Sequence, residues 1–182
     1  MTEDSAAGQL AQVVLHALSR GKAVEIDGLG TFFPDRANGC RFQPRAPQVF
    51  LAYVREDLEA ATRLHDALRD AGLNPWMDVY QLLPGQNWAR AIERAIDRSD
   101  FFVPCFSQRS VNKWGGFQAE IRYALDCARR VPLDEIFVVP VRLDACRVPR
   151  SLQKELQYID LLPDWEGGLR RLLATLLRRT LA

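Results

Sequence analysis

The chain has 182 residues, with 24 Lys and Arg against 23 Asp and Glu, so its formal net charge is only +1. This balance argues against a general nucleic-acid binder, which carries a basic excess. No apolar run reaches the ~18–20 residues of a membrane helix. The acidic start, residues 1–5, also lacks the basic-then-apolar order of a signal peptide. We therefore expect a cytoplasmic protein with no membrane partner.

The cysteines and histidines do not predict metal or His-dependent chemistry. The four cysteines are widely spaced, and no Cys-x-x-Cys pair is present to begin a zinc site. His16 and His65 both fall on helical patterns among Leu and Ala, without a nearby metal partner or nucleophile. We expect no metal site and no bound cofactor.

The first predicted elements form a small helix–β-hairpin module. Residues 9–19 place an apolar face on a helix, formed by Leu10, Val13, Val14 and Leu18. Residues 23–32 alternate as a strand does and then turn through glycines. A second short strand, 40–43, is predicted to pair with the first.

A linker at 43–47, with two prolines, favours an extended backbone and separates a domain at 1–46 from one at 47–182. Beyond it, strands alternate with helices. The predicted strands are 49–54, 73–77, 100–106, 136–143 and 158–162, and the helices are 57–71, 88–96, 117–129 and 169–176.

Strands that are apolar on both faces and separated by helices predict a parallel sheet covered on both sides. The predicted fold is flavodoxin-like α/β with five strands. In such sheets the ligand site lies at the carboxyl ends of the strands.

Several nucleotide-binding classes are excluded by the motifs. The pair Gly21-Lys22 is followed by Ala23, so it is not a P-loop, and residues 28–30 (GLG) lack a third glycine and do not open a helix. A response-regulator receiver needs an Asp at the end of the third strand, where this chain has Ser107.

Residues 49–57 (VFLAYVRED) resemble the first strand and following turn of a TIR (Toll/interleukin-1 receptor) domain of the bacterial type. Residues 82–88 (LLPGQNW) resemble the BB loop of that family. Further matching segments keep the family's order: 76–78, 91–96, 99–103, 117–121, 139–143 and 158–161. The resemblance covers about residues 48–178.

The resemblance implies one of two activities. Many TIR domains cleave NAD+ at the nicotinamide–ribose bond, as hydrolases, cyclases or both, whereas others only pair with further TIR domains as adaptors. Nicotinamide departs as a neutral group, and a carboxylate near the ribose hydroxyls can stabilise the oxocarbenium character that develops. The resemblance aligns Glu120 with the family's catalytic glutamate. Without the resemblance, the sequence predicts that Glu120 is a solvated helix carboxylate paired with Arg122 or Arg129.

One position departs from the family pattern. Many members carry a Trp four residues before the glutamate, where this chain has Gly116. Trp114 and Phe117 are the nearest aromatic residues.

The resemblance and the strand ends together predict eight substrate-binding residues: Ala52, Tyr53, Arg55, Asp78, Leu83, Trp88, Ser107 and Trp114. Arg55 would meet the pyrophosphate, or alternatively form an ion pair with Glu56 or Asp57. Asp78 would organise the ribose or the loop, or cap a helix. Trp88 has core packing as its alternative.

Residues 20–32 resemble the helix-to-strand passage of histone-like HU proteins. The long basic arm of that family is missing, and residues 1–46 carry five basic and five acidic side chains. We expect an oligomerisation or interaction module there that does not bind DNA.

The sequence thus predicts a bacterial TIR-domain NAD+ glycohydrolase in a defence or cell-suicide system, acting beside a sensor protein. Three apolar residues in the 79–87 loop (Leu82, Leu83, Pro84) predict self-association through the TIR domain, assisted by the N-terminal helix. The rival prediction is a non-catalytic adaptor, or a mimic that disturbs host signalling by homotypic contacts.

Overall fold

The computed structural model describes residues 3–35, 39–132 and 134–178. The chain forms two compact units, Met1–Ala46 and Pro47–Ala182.

The first unit contains a helix, α1 (Glu3–Ser19), and three strands: β1 (Val24–Ile26), β2 (Gly30–Asp35) and β3 (Gly39–Pro44). The strands form an antiparallel sheet in the order β1-β2-β3. On α1, Val14 and Leu18 are buried, whereas Leu10, Val13 and Leu15 are exposed.

This sheet has one strand more than the predicted hairpin. The run 23–32, predicted as one bending strand, turns back on itself at Gly28, which has a φ of 78°, and the Leu29 N–H donates to the Ile26 carbonyl. Gly30 opens β2 with a φ of 144°, and a Cβ there would lie 2.3 Å from the Gln43 carbonyl oxygen. Only glycine fits such a close approach of two strands.

The second unit alternates strands and helices. Its elements are β4 (Gln48–Ala52), α2 (Leu58–Asp70), β5 (Asn74–Trp76), α3 (Asp78–Gln81), α4 (Trp88–Asp97), β6 (Phe101–Phe106), α5 (Gly116–Ala128), β7 (Val141–Arg142), α6 (Arg150–Gln153), β8 (Ile159–Asp160) and α7 (Trp165–Arg178). The strands form one parallel sheet in the order β5-β4-β6-β7-β8. The prediction of a five-stranded α/β sheet flanked by helices is confirmed.

The sheet is buried on both faces because its central strands β4 and β6 are apolar at every position after Gln48. Along β4, Val49 and Leu51 pack with Leu64 and Leu172 from α2 and α7. Phe50 faces the opposite side, where the second core includes Ile92, Ala95 and Ile96 of α4 and Phe117, Ile121 and Ala124 of α5. These two cores hold the helices in place, and α5 is the helix that carries the site.

Two predicted elements differ from the structure. The strand predicted at 136–143 is regular only at Val141–Arg142, with a single bridge between Phe102 and Val138 upstream. Pro140, which lacks an N–H, interrupts the ladder between them. The segment predicted as a loop at 78–86 begins with the short helix α3.

No helix among the described residues is long and apolar enough to span a membrane.

Candidate functional site

The site lies where the segments following β4, β5 and β6 meet. These three strands are parallel neighbours, so their carboxyl ends share one edge of the sheet. The segment after β4 supplies Tyr53 and Arg55, and the segment after β5 begins with Asp78. The segment after β6 leads into α5, whose fifth residue is Glu120.

Glu120 is a half-buried carboxylate without a salt-bridge partner. Nothing in the described part of the chain donates a hydrogen bond to it or forms an ion pair with it. Of the two arginines that sequence reasoning offered as partners, Arg129 instead pairs with Asp126 at 3.1 Å. Burial, and next the nearby charge of Asp78, raise the pKa of Glu120 to about 7. The carboxyl group is therefore poised between its two protonation states at neutral pH.

Asp78 is anchored by Tyr53. The Tyr53 hydroxyl donates a hydrogen bond of 2.6 Å to Oδ1 of Asp78. Burial of the ring and this hydrogen bond both raise the pKa of Tyr53, so the phenol stays a donor. Met77 occupies the N-cap position of α3 and Asp78 is the first residue of the helix, so Asp78 is not the capping residue. The tyrosine thus fixes the Asp78 carboxylate, whose charge adds to the effect of burial on the pKa of Glu120.

Arg55 is exposed, and its positive charge lies close enough to Tyr53 to oppose the rise of the tyrosine pKa. The alternative ion pairs for Arg55 are absent from the described residues. Glu56 pairs instead with Lys113, at 2.5 Å, and Asp57 with Arg109, at 3.6 Å. The Arg55 guanidinium is thus available to an anionic ligand at this edge of the sheet.

Ser107 belongs to a buried polar network that sequence reasoning missed. Its hydroxyl donates to Oδ2 of Asp57 at 2.5 Å, and the backbone N–H of Ser107 donates to the Ser110 hydroxyl at 2.8 Å. Asp57, Ser107 and Ser110 are all buried. The available signal was the pair of serines three residues apart at the end of β6, a spacing typical of side-chain-to-backbone turns.

The network ties the segment after β4 to the segment after β6. Arg109 adds a second link, donating at 2.7 Å to the Glu56 carbonyl. Ser107 therefore has a structural role beside the site, because its hydroxyl donates a hydrogen bond to the buried Asp57 carboxylate. Ala52 is also buried, at 1% exposure, in the core between the sheet and α4–α5.

The three remaining predicted residues lie on the surface. Leu83 is 71% exposed, Trp88 61% and Trp114 96%. Trp88 is the first residue of α4 and does not pack into the core, contrary to its alternative interpretation. Trp114 lines a groove that includes Gln118 but not Glu120. The structure therefore brings Tyr53, Asp78 and Glu120 together. The side chains of Leu83, Trp88 and Trp114 are exposed to solvent.

Gly116 leaves space directly beside the carboxylate. A Cβ built at this position would lie 3.8 Å from Oε1 of Glu120, with no other heavy atom within 4 Å. The backbone would accept a side chain there, because the φ of Gly116 is not in the left-handed region. The glycine therefore keeps one flank of Glu120 uncovered.

No group of three His, Cys, Asp or Glu residues converges as a metal site in the ranges 3–35, 39–132 and 134–178.

The model of the TIR domain family matches residues 49–173, and the chain belongs to this family. The match begins after the first unit, and the HU-like resemblance of that unit has no support from the comparisons.

Among known proteins, y4cD of Sinorhizobium fredii is 28% identical over 123 residues, which is 68% of this chain and 19% of y4cD. The chain thus spans about a fifth of that curated relative. The TIR domain of the Toll-related receptor TRR-2 from Hydra magnipapillata superposes with a TM-score of 0.55 at 22% identity, covering 69% of this chain and 97% of that one. The CMP N-glycosidase BcmB of Clostridium botulinum has a TM-score of 0.50 at 18% identity, covering 69% and 96%. Both likenesses concern the fold.

Proposed function

We propose that this TIR domain hydrolyses or cyclises NAD+ by cleaving the nicotinamide–ribose bond, and that it serves bacterial defence or cell suicide. The observation that carries the proposal is Glu120, a half-buried carboxylate without an ion-pair partner among the described residues, at the carboxyl edge of a parallel sheet. Asp57 and Asp160, by contrast, are each paired with an arginine. An unpaired, half-buried carboxylate with a raised pKa is typical of a functional site.

In the proposed reaction the C–N bond between ribose and nicotinamide breaks, and its electron pair leaves with the nicotinamide nitrogen. The leaving group becomes neutral, so it requires no proton. The positive charge passes to the ribose, where the ionised Glu120 carboxylate stabilises it. Water then attacks C1′ and loses a proton, which yields ADP-ribose, nicotinamide and H+; an internal nucleophile in place of water yields a cyclic product.

The neighbouring residues have separate roles in this proposal. Burial is the main cause of the raised pKa of Glu120, and the charge of Asp78, held in place by Tyr53, raises it further. The positively charged nicotinamide ring, once bound, favours the ionised form of Glu120. Arg55 receives the pyrophosphate. NAD+ enters as the substrate, and the reaction as written requires no cofactor.

The fold is compatible with this chemistry. BcmB, which shares the fold, is a CMP N-glycosidase, and the bond proposed to break here is also an N-glycosidic bond of a nucleotide.

Self-association is part of the same proposal. The segment that follows β5 exposes Val79, Tyr80 and Leu83, and the N-terminal helix exposes Leu10 and Val13. Apolar side chains grouped on a surface are typical of interaction sites. In this proposal a second copy packed on the 79–87 segment excludes water from around Glu120 and strengthens its interaction with the ribose charge. A sensor or effector protein in the cytoplasm is the proposed activating partner.

A non-catalytic adaptor is the second candidate function. The exposure of Leu83 and Trp88 favours it, because homotypic binding needs an apolar surface but no free carboxylate. The two candidates differ in a single measurement, the release of nicotinamide from NAD+.

The deciding experiment incubates the full chain with NAD+ at several protein concentrations and follows nicotinamide. We expect turnover that Glu120→Gln lowers by about 10²–10⁴-fold. Asp126→Asn, an exposed carboxylate change on the same helix, is the matched control and should retain turnover. Absence of turnover by the wild-type chain at all concentrations, with self-association intact, favours the adaptor. Equal rates for wild type and Glu120→Gln would refute the catalytic assignment.

A further inference from the structure

A concave surface lies on the face of α5 opposite to Glu120. It has two lobes, of about 400 Å³ and about 600 Å³, which share Val111, Asn112 and Pro149 and so form one groove. Gln118 and Arg122 of α5 line it. Each lies two residues from Glu120, which is about 200° around a helix. The groove therefore lies on a different face of α5 from Glu120.

The groove is strongly basic. Lys113, Arg122, Arg147 and Arg150 line its two lobes, and none of its described lining residues is acidic. Lys113 is neutralised by Glu56. The guanidinium groups of Arg122, Arg147 and Arg150 have no hydrogen-bond or ion-pair partner in the part of the chain that the structure describes. Three unpaired cations around one depression, in a chain of net charge +1, focus a positive potential there.

An aromatic ring stands beside these charges. Trp114 lines the smaller lobe and is 96% exposed, so its indole has almost no packing within the chain. A large apolar ring left in water is costly unless a ligand covers it. Asn112 and Gln118 add amide donors and acceptors to the same lobe.

This combination matches one ligand chemistry. Guanidinium groups bind phosphate oxygens in bidentate geometry, an exposed indole stacks on a nucleobase, and the lobes fall within the ~300–1,000 Å³ typical of small-molecule sites. We infer that the groove binds a nucleoside diphosphate or a related nucleotide, with its base on Trp114 and its phosphates among Arg122, Arg147 and Arg150. The binding site is distinct from the one that the proposed function places at Glu120.

The test measures binding and does not depend on turnover. The full chain carrying Glu120→Gln is titrated with ADP by calorimetry at low and near-physiological salt. We expect saturable binding that weakens as salt rises. The double variant Arg147→Gln/Arg150→Gln should weaken it at least about tenfold, since each lost charge-assisted contact is worth roughly 1.5–3 kcal/mol. Trp114→Ala should weaken the binding of ADP by about 5- to 150-fold, from a stacking energy of roughly 1–3 kcal/mol.

Two controls distinguish ADP binding in the groove from nonspecific electrostatic attraction and from binding of phosphate alone. The charge-matched double variant Arg129→Gln/Arg130→Gln, at the far end of α5, should bind ADP as the parent does. Inorganic pyrophosphate should bind more weakly than ADP, because it lacks a base.

Four results would overturn the inference: no heat of binding at millimolar ADP; equal loss in the control double variant; binding sensitive to Arg55→Gln but not to the groove variants; or tighter binding of an acidic peptide than of ADP. The last would assign the groove to a protein partner. Because the parent already lacks Glu120, none of these results bears on NAD+ cleavage.

Discussion

Replacing Glu120 with glutamine should stabilise the protein at alkaline pH. Folding moves the Glu120 carboxyl from water into a half-buried position near Asp78, which raises its pKa from 4.5 to about 7. The pKa difference is about 2.5 units, and each unit corresponds to about 1.4 kcal/mol, so the ionised form costs the folded state at most about 3.5 kcal/mol. Partial contact of the carboxylate with water lowers the expected gain to about 1–3 kcal/mol.

The stability gained by Glu120→Gln should increase with pH, because the pKa of Glu120 is raised in the folded state. Below about pH 4.5 the carboxyl is protonated in both states, so wild type and Glu120→Gln should have similar free energies of unfolding. Between about 4.5 and 7 the unfolded chain releases its proton first, so the wild-type contribution declines as pH rises. Above about pH 7 the whole cost is present, and the glutamine variant should be the more stable of the two.

Urea unfolding of the full chain at about pH 4, 6 and 8 tests this reasoning. Asp126→Asn is the control, because Asp126 is an exposed residue of the same helix and its pair with Arg129 is a surface ion pair. The reasoning is refuted if the difference between wild type and Glu120→Gln stays constant from pH 4 to pH 8, or if the variant is the less stable at pH 8. A stabilising substitution that also abolishes turnover would show that the carboxylate is retained for function at the expense of stability.

The geometry of the site leads to three further predictions. Asp78→Asn should lower the pKa of Glu120, but not to its ordinary value, because burial is the larger cause of the raised pKa. The acid limb of the kcat/KM profile for NAD+ should then move to lower pH, and a limb that does not move contradicts the role of Asp78. Ser107→Ala should destabilise the fold by about 1–3 kcal/mol in urea unfolding, because it removes the hydroxyl donor from the buried Asp57 carboxylate; a loss below about 0.5 kcal/mol would show that the network is not structural. Leu83→Asp should leave the free energy of unfolding nearly unchanged, since the side chain is exposed. It should, however, abolish any rise of specific activity with protein concentration. If the concentration dependence is unchanged across a hundredfold dilution, the 79–87 loop is excluded as the contact between copies.

The sheet was predictable because its signal is local. The strands 49–54 and 100–106 are apolar at nearly every position, which only a sheet covered on both faces accommodates. In the structure, neighbouring residues of β4 do pack into opposite cores. The ends of the elements were less predictable. The β-ladder at 136–143 depends on which backbone N–H groups find an acceptor, and Pro140 has no N–H.

The candidate site was only partly accessible to sequence reasoning. The family resemblance placed Glu120 on α5, and the strand order placed Tyr53 and Asp78 at the ends of neighbouring strands. Nothing in the pattern showed that Trp114 would line a groove that does not include Glu120, or that the Ser107 hydroxyl would donate a hydrogen bond to Asp57.

The sequence by itself determined the α/β class, the family and the helix that presents Glu120, because periodicity and motif order are properties of neighbouring residues. The tertiary structure alone decided the chemical state of that residue. The pKa of Glu120 depends on how much water the fold removes and on the Asp78 charge that the fold brings near. The three unpaired arginines likewise come from α5 and from the segment after β7, and converge on one groove. Electrostatic interactions act through space, so residues far apart in the chain acquire their shared properties only when folding places them together.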